Sequence, residues 1–150
     1  MEKIVLSKKE VNRAGEVLKK DLIGQNQLLD AMGVLNTWRA KHSFPINTFQ
    51  ATLRHRLSSI DSTALVAQRL KRSSSIISKL KRLDGMKLAR MQDSGGMRGV
   101  PSRLSQVNDV RALYEEVGRF DHELAALTDY IHNPKVDGYR SVHFGFRYQN

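Results

Sequence analysis

The chain has no cysteine, three prolines and one tryptophan in 150 residues, and its fifteen acidic side chains are outnumbered by twenty-five lysines and arginines. Without cysteine there are no disulfides, thiolate zinc sites, iron–sulfur clusters or cysteine nucleophiles, which argues against redox chemistry and fits a reducing compartment. No stretch approaches the roughly 18 apolar residues of a spanning helix, and the N-terminal MEKIVLSKKEVNRAGEVLKK lacks an apolar segment with a small-residue cleavage site. A soluble, cytoplasmic protein without membrane association is expected. Hydrophobic residues at 40% and charged residues at 27% lie in the ordinary globular range, so disorder and collagen-like repeats are excluded. At this length one domain is the default.

The excess charge, +10 with histidine neutral, favours polyanionic partners such as nucleotides or RNA. It is concentrated. Between Arg69 and Arg103 stand ten basic residues and two acidic ones, Asp84 and Asp93.

Periodicity divides the chain into a helical N-terminal region, residues 1–62, and a mixed region, residues 63–150. Ser7 and Glu10 form a capping box ahead of Val11, Ala14, Val17 and Leu18. A second helical run carries Leu28, Met32, Leu35 and Trp38 and is expected to end near Pro45, and Asn47 with Gln50 opens a third. Ala64 to Lys71 is expected to be a short strand leading into a helix capped by Ser73 or Ser74, with Ile76, Ile77, Leu80 and Leu83 buried and Arg72, Ser75, Lys79 and Arg82 on the other side. Asp93 to Val100 predicts a glycine turn entering a strand. Val107, Val110, Leu113, Tyr114 and Val117 mark a helix after a Ser105 cap. The final GYRSVHFGFRY alternates, with Val142, Phe144, Phe146 and Tyr148 inward and Tyr139, Ser141, His143 and Arg147 outward. The fold class expected is α/β (α+β), a mixed β-sheet flanked by helices.

A nucleoside triphosphate needs converging cations, N–H groups and a carboxylate-held metal, because Mg²⁺ keeps waters and takes only one or two protein carboxylates. Arg69, Lys71, Ser75 and Lys79 run from a strand into the first turns of a helix, so they and the helix N-terminus can address one anion. A basic amphipathic helix that merely faces water accounts for them equally well. Asp93 can hold a metal or pair with Arg90 or Arg98. Tyr139, Ser141 and His143 offer an aromatic platform, a hydroxyl and an imidazole, with Lys135 nearby, or form a plain polar strand face.

Together these segments resemble the synthetase domain of the RelA/SpoT alarmone family over about half the chain, from Arg69 to Tyr148. R-x-K-x-x-x-S-I-x-x-K is met by Arg69, Lys71, Ser75, Ile76 and Lys79, D-x-x-x-x-R by Asp93 and Arg98, and D-Y-I-x-x-P-K-x-x-G-Y-x-S-x-H by Asp129 to His143. The resemblance implies an ATP-dependent pyrophosphokinase of nucleotidyltransferase-like fold that moves the β,γ-pyrophosphoryl unit of ATP to the ribose 3′-hydroxyl of GDP or GTP. It assigns Arg69 and Arg98 to adenine, Lys71, Ser75 and Lys79 to ATP phosphates, and Asp93 to Mg²⁺. Tyr139 would stack on the acceptor guanine, with Lys135 and His143 on acceptor or phosphate groups. The family's second acidic residue, in an E-x-Q-x-R-T stretch after the histidine, is not reached before Asn150. Little or no turnover is therefore expected of this fragment. Thr128 and Asp137 also depart from the family pattern, where a basic residue and an asparagine are common.

WRAKHSFP (Trp38 to Pro45) resembles a segment of the toxic small alarmone synthetases, some of which modify the 3′ CCA end of tRNA, so tRNA is a second expected acceptor and an antitoxin or regulatory domain a further partner. Trp38 at helical spacing is more often a core residue than a stacking platform. A non-catalytic nucleotide- or RNA-binding module is the alternative of another class. Asp121 and His122 form the dipeptide that HD-type hydrolases place on a metal, but without further ligands they are expected to be structural, and His42, His55 and His132 show no ligand spacing.

Overall fold

The computed structural model describes residues 6–116 and 121–148. The helices are α1 (Lys8–Leu18), α2 (Gln25–Lys41), α3 (Ser43–Ile60), α4 (Ser73–Arg82) and α5 (Leu104–Glu115), the strands β1 (Leu65–Leu70), β2 (Gly95–Val100), β3 (Glu123–Asp129) and β4 (Val142–Arg147), and a 3₁₀ turn spans Leu88–Arg90. The α+β class is as expected. Among the described residues the strands form two two-stranded sheets, β1 with β2 and β3 with β4, in place of one mixed sheet. The chain divides into two compact units, Met1–Thr48 with Gln68–Met97, and Phe49–Ala67 with Arg98–Asn150.

In the first unit, Ser7 caps α1 as its sequence requires: its side chain accepts from the Glu10 amide, and Glu10 accepts from the Ser7 amide at 2.8 Å. Val11, Ala14 and Leu18 face Ala31, Leu35 and Trp38 of α2, with Ile76 and Leu80 of α4 and Leu88 and Met91 completing the core. Leu35, Ile76, Leu80 and Leu88, at 1% exposure or less, each contribute about 1.5–3 kcal/mol by leaving water. The buried stripe of α2 is thus Ala31, Leu35 and Trp38, while Leu28 is partly exposed and Met32 only borders the core. Gly15 lies so close to the 3₁₀ turn that an added Cβ would stand 2.8 Å from Leu88 Cβ, and Asn12 accepts from the Ala89 amide at 3.0 Å. Helix α1 therefore props the segment leading to Asp93.

Three local expectations are corrected. Helix α3 starts at Ser43, not Asn47, because Pro45 falls in its first turn, where a missing N–H costs nothing. No serine caps α4: Arg72 occupies the cap in extended geometry without a side-chain bond, and the Ser73 hydroxyl instead donates to Asn36. Helix α5 begins at Leu104, and Gln106, not Ser105, closes its start by accepting from the Arg103 amide at 2.8 Å. Val117, assigned to that helix from its spacing, lies outside the described residues.

In the second unit β3 and β4 pair antiparallel, with Leu124 opposite Phe146, Leu127 opposite Phe144 and a bulge between Leu124 and Ala126. Phe144 and Phe146 take Tyr114 of α5 at 5.4 and 5.6 Å, and Phe49 stacks on Phe146. This is the inward face that the alternation predicts. The strand itself is shorter than expected, because Tyr139 and Ser141 belong to the preceding loop, where Gly138 takes φ +81° and the Tyr130 amide donates to the Ser141 carbonyl at 2.8 Å.

Candidate functional site

Strand β1 ends where α4 begins, and β2 returns beside it: the Lys71 amide donates to the Ser94 carbonyl at 2.8 Å. That bond sets Asp93 next to the strand-to-helix junction. The junction is held from behind by α2, since Arg39 Nε donates to the Lys71 carbonyl at 2.9 Å. Ser94, fully buried, anchors the turn through its hydroxyl to Met91. The turn is made by Gln92 and Asp93, and Gly95 and Gly96 already belong to β2. Glycine is required at 95 by close approach, because a Cβ there would run into Ile46 Cδ1.

From this scaffold Lys71 Nζ reaches Asp93 Oδ2 and Lys79 Nζ reaches Asp93 Oδ1, both at 2.7 Å. The two lysines share one carboxylate. Partial burial works to raise the Asp93 carboxyl, but the Lys71 and Lys79 ammonium groups outweigh it and hold the carboxyl below its usual range. Beside the clamp lies an open cleft of about 360 Å³ lined by Lys71, Ser74, Ser75, Ser78, Lys79 and Arg82. Four of the residues singled out in the sequence, Lys71, Ser75, Lys79 and Asp93, are therefore brought together. Arg69 is exposed on β1 and does not line the cleft. Ser74, expected as a cap and not as part of this group, lines the cleft, as does Ser78, which was not singled out although its hydroxyl stands three residues from Ser75 on the same helix. With no side chain capping α4, its first-turn amides add to the donors available there.

The second unit gathers Lys135, Tyr139 and His143. Tyr139 Oη and His143 Nε2 are 2.8 Å apart, and Lys135 Nζ lies 5.3 Å from the Tyr139 ring centre. Tyr130, not foreseen as part of this group, stands edge-on to His143 at 5.1 Å, with Lys135 Nζ 4.8 Å from its ring. Partial burial, then the charges of Lys135 and Arg98, push His143 below the ordinary histidine value. Arg98 thus acts on this cluster electrostatically. Ser141 does not join it, its hydroxyl turning to the Val142 carbonyl.

The loop bearing these groups is tied by Asp129, which accepts from the Ile131 and His132 amides, the His132 ring and Arg111. The His132 amide above all, outweighing desolvation, with the His132 ring and the Ile131 amide, holds its carboxyl at about 2. Asp137 accepts from the Tyr139 amide at 3.0 Å, an Asx turn that fixes the platform's backbone.

Two other sequence features are structural. Trp38 is 9% exposed and meets His42 edge-on, so it is not presented to a nucleic acid, and Arg39 in the same segment is engaged on Lys71. His122 packs between Phe49 and Tyr148, each at 4.8 Å.

The family model for the region found in RelA / SpoT proteins matches residues 68–150. The chain belongs to the RelA/SpoT family. No match is found among curated proteins. The matched span includes every residue singled out for the site, from Arg69 to His143, and membership in this (p)ppGpp synthetase family indicates a transferase of the pyrophosphokinase type. It leaves out α1 and α2, which carry much of the core of the first unit.

Asp93 is the carboxylate beside this cleft, with its two oxygens engaged by Lys71 and Lys79, and a divalent ion held there would compete with those ammonium groups for it. Among the described residues no three His, Asp or Glu side chains converge, so Asp93 would be the ion's protein carboxylate and phosphate oxygens and water would complete the shell, the pattern Mg²⁺ prefers. No helix is long and apolar enough to cross a membrane.

Proposed function

We propose that this RelA/SpoT family member binds Mg²⁺–ATP in the Lys71–Lys79 cleft and transfers the β,γ-pyrophosphoryl unit to the ribose 3′-hydroxyl of GDP or GTP. The observation that carries the reading is the convergence of Lys71 and Lys79 on Asp93 at 2.7 Å beside a cleft lined by serine hydroxyls. The lysines and Ser75 would hold phosphate oxygens, and Asp93 the metal. Mg²⁺, when bound, would neutralise phosphate charge. The transfer itself demands positioning and charge stabilisation, and needs no protein nucleophile. Arg69 and Arg98 are assigned to adenine by family pattern alone.

For the acceptor, the Tyr139 ring would stack on guanine, Lys135 would meet a phosphate, and His143, held towards its neutral form, would offer a hydrogen bond to the sugar or phosphate. Asp129 and Asp137 fix the loop so that the aromatic face is preformed.

The donor half is tested by equilibrium binding of a non-hydrolysable ATP analogue with Mg²⁺. Lys79→Ala and Ser75→Ala should weaken it at least tenfold, and binding that ignores both substitutions would refute the assignment. The acceptor half is tested under single-turnover conditions with labelled ATP and GDP, GTP or deacylated tRNA. Label on a guanine nucleotide supports the reading, and label on tRNA alone would move the chemistry to the CCA end.

A further inference from the structure

The 3₁₀ turn between α4 and Asp93 is preceded by Lys87 at its cap and ends on Arg90, exposed cations for which the described residues provide no ion pair. Their backbone is held more firmly than a plain surface loop requires. Leu88 is fully buried and Met91 4% exposed, Gly15 is fitted against Leu88, and Asn12 takes the Ala89 amide. Burying the residues between and after the two cations leaves Lys87 and Arg90 to project from a fixed frame. With Lys79, Leu83, Asp84, Gly85, Met86 and Gln92 they line a second cleft of about 540 Å³, distinct from the first but sharing Lys79 with it. Its one carboxylate, Asp84, is turned to its own loop and accepts from the Gly85 amide at 2.9 Å. Lys79 is already paired with Asp93, and Lys87 and Arg90 against Asp84 leave the cleft a net positive lining.

We propose that this second cleft is a phosphate-binding subsite, separate from the donor cradle, that takes the polyphosphate tail of a second small ligand. Two observations favour such a tail over single-stranded RNA. The lining holds no aromatic ring on which a base could stack. The cations are confined to one rigid turn and one helix end, which suits a compact multivalent anion better than an extended backbone. Arg90 brings the guanidinium fork that pairs two phosphate oxygens at once, and Lys87 and Lys79 act as point charges. Because one ammonium serves both clefts, filling one should weaken the other. This assignment needs only the cleft itself, although its link to the donor site rests on the reading above.

The test is calorimetric titration of the intact chain with inorganic pyrophosphate, without metal, at low ionic strength. Two equivalents are expected. Lys87→Ala/Arg90→Ala should lose one of them by at least tenfold in affinity while keeping the other, Ser75→Ala should weaken the opposite one, and Lys79→Ala should weaken both. Thermal unfolding of the double variant should match the parent, since both side chains are exposed. A parent with no equivalent sensitive to the double substitution would overturn the proposal. So would loss of binding to a single-stranded RNA in the double variant with pyrophosphate binding unchanged, which would make the turn an RNA contact. If instead only the equivalent sensitive to Ser75 were missing, the donor assignment would fail and the second subsite would stand.

Discussion

Asp93→Asn isolates what the shared carboxylate does. In the native chain the carboxylate neutralises two lysines that line the cleft, each at 2.7 Å, and its side chain is about half exposed. Pairs of that exposure are worth about 0.2–1 kcal/mol each, so freeing both ammonium groups returns about 0.4–2 kcal/mol to an incoming anion. At about 1.4 kcal/mol per decade this is roughly a 2- to 30-fold gain in affinity for metal-free tripolyphosphate. With Mg²⁺ the sign reverses: the native chain should gain affinity on metal addition through Asp93, and the variant should gain little. Titration of both proteins with tripolyphosphate, with and without Mg²⁺, gives the four numbers needed. If Asp93→Asn weakens metal-free binding, or retains the full metal increment, the clamp does not face the anion and the donor site is misplaced. Stability should change little, because the asparagine keeps the turn and both lysines reach water.

Lowering the pH should loosen the Tyr139 loop. The Asp129 carboxyl sits at about 2 instead of 3.8, so its stabilisation is complete above pH 4 and is lost as pH falls from 4 towards 2, and the tyrosine ring signals in NMR should shift over that window. In Asp129→Asn this shift should disappear. His143, pushed down by burial and by Lys135 and Arg98, should titrate below 6.5 in the free chain, and an acceptor diphosphate that neutralises Lys135 should raise its midpoint in an NMR titration. An unchanged midpoint on binding would separate Lys135 from the phosphate. Gly95→Ala forces a Cβ against Ile46 and should cost about 1–3 kcal/mol in denaturant unfolding, part of which Ile46→Val should restore. An additive double variant would show that the contact does not set the cost.

The lysine and serine members of the first cleft were legible because their signal is local. Arg69, Lys71, Ser75 and Lys79 span one strand end and less than two helical turns, and the spacing alone puts the last three near one another. Asp93 is far from them in sequence, and only the Lys71–Ser94 backbone bond explains why it arrives beside them. Of the second cluster Lys135, Tyr139 and His143 were legible but Tyr130 was not, and neither was its frame: Tyr139 and Ser141 alternate like strand residues, yet Gly138 and the Asp137 turn curl them into a loop. Side-chain capping misled at α4 and α5, where serines near the start suggested caps that Arg72 and Gln106 positions displaced. Arg39 could not have been found from pattern, since nothing in WRAKHSFP says that its guanidinium grips a carbonyl 32 residues away.

The seam at residue 68, where family likeness begins, is not a seam in the physical object. Ile76, Leu80, Leu88 and Met91 lie beyond it, but the surfaces that cover them, Val11, Ala14, Leu18, Leu35 and Trp38, lie before it. Expressing only the family-matched half would peel the lid from a greasy interior and set Lys71 and Lys79 on an unsupported ribbon. Inherited chemistry and mechanical chassis have different borders here, and anyone trimming this molecule for crystals or assays should cut by the second.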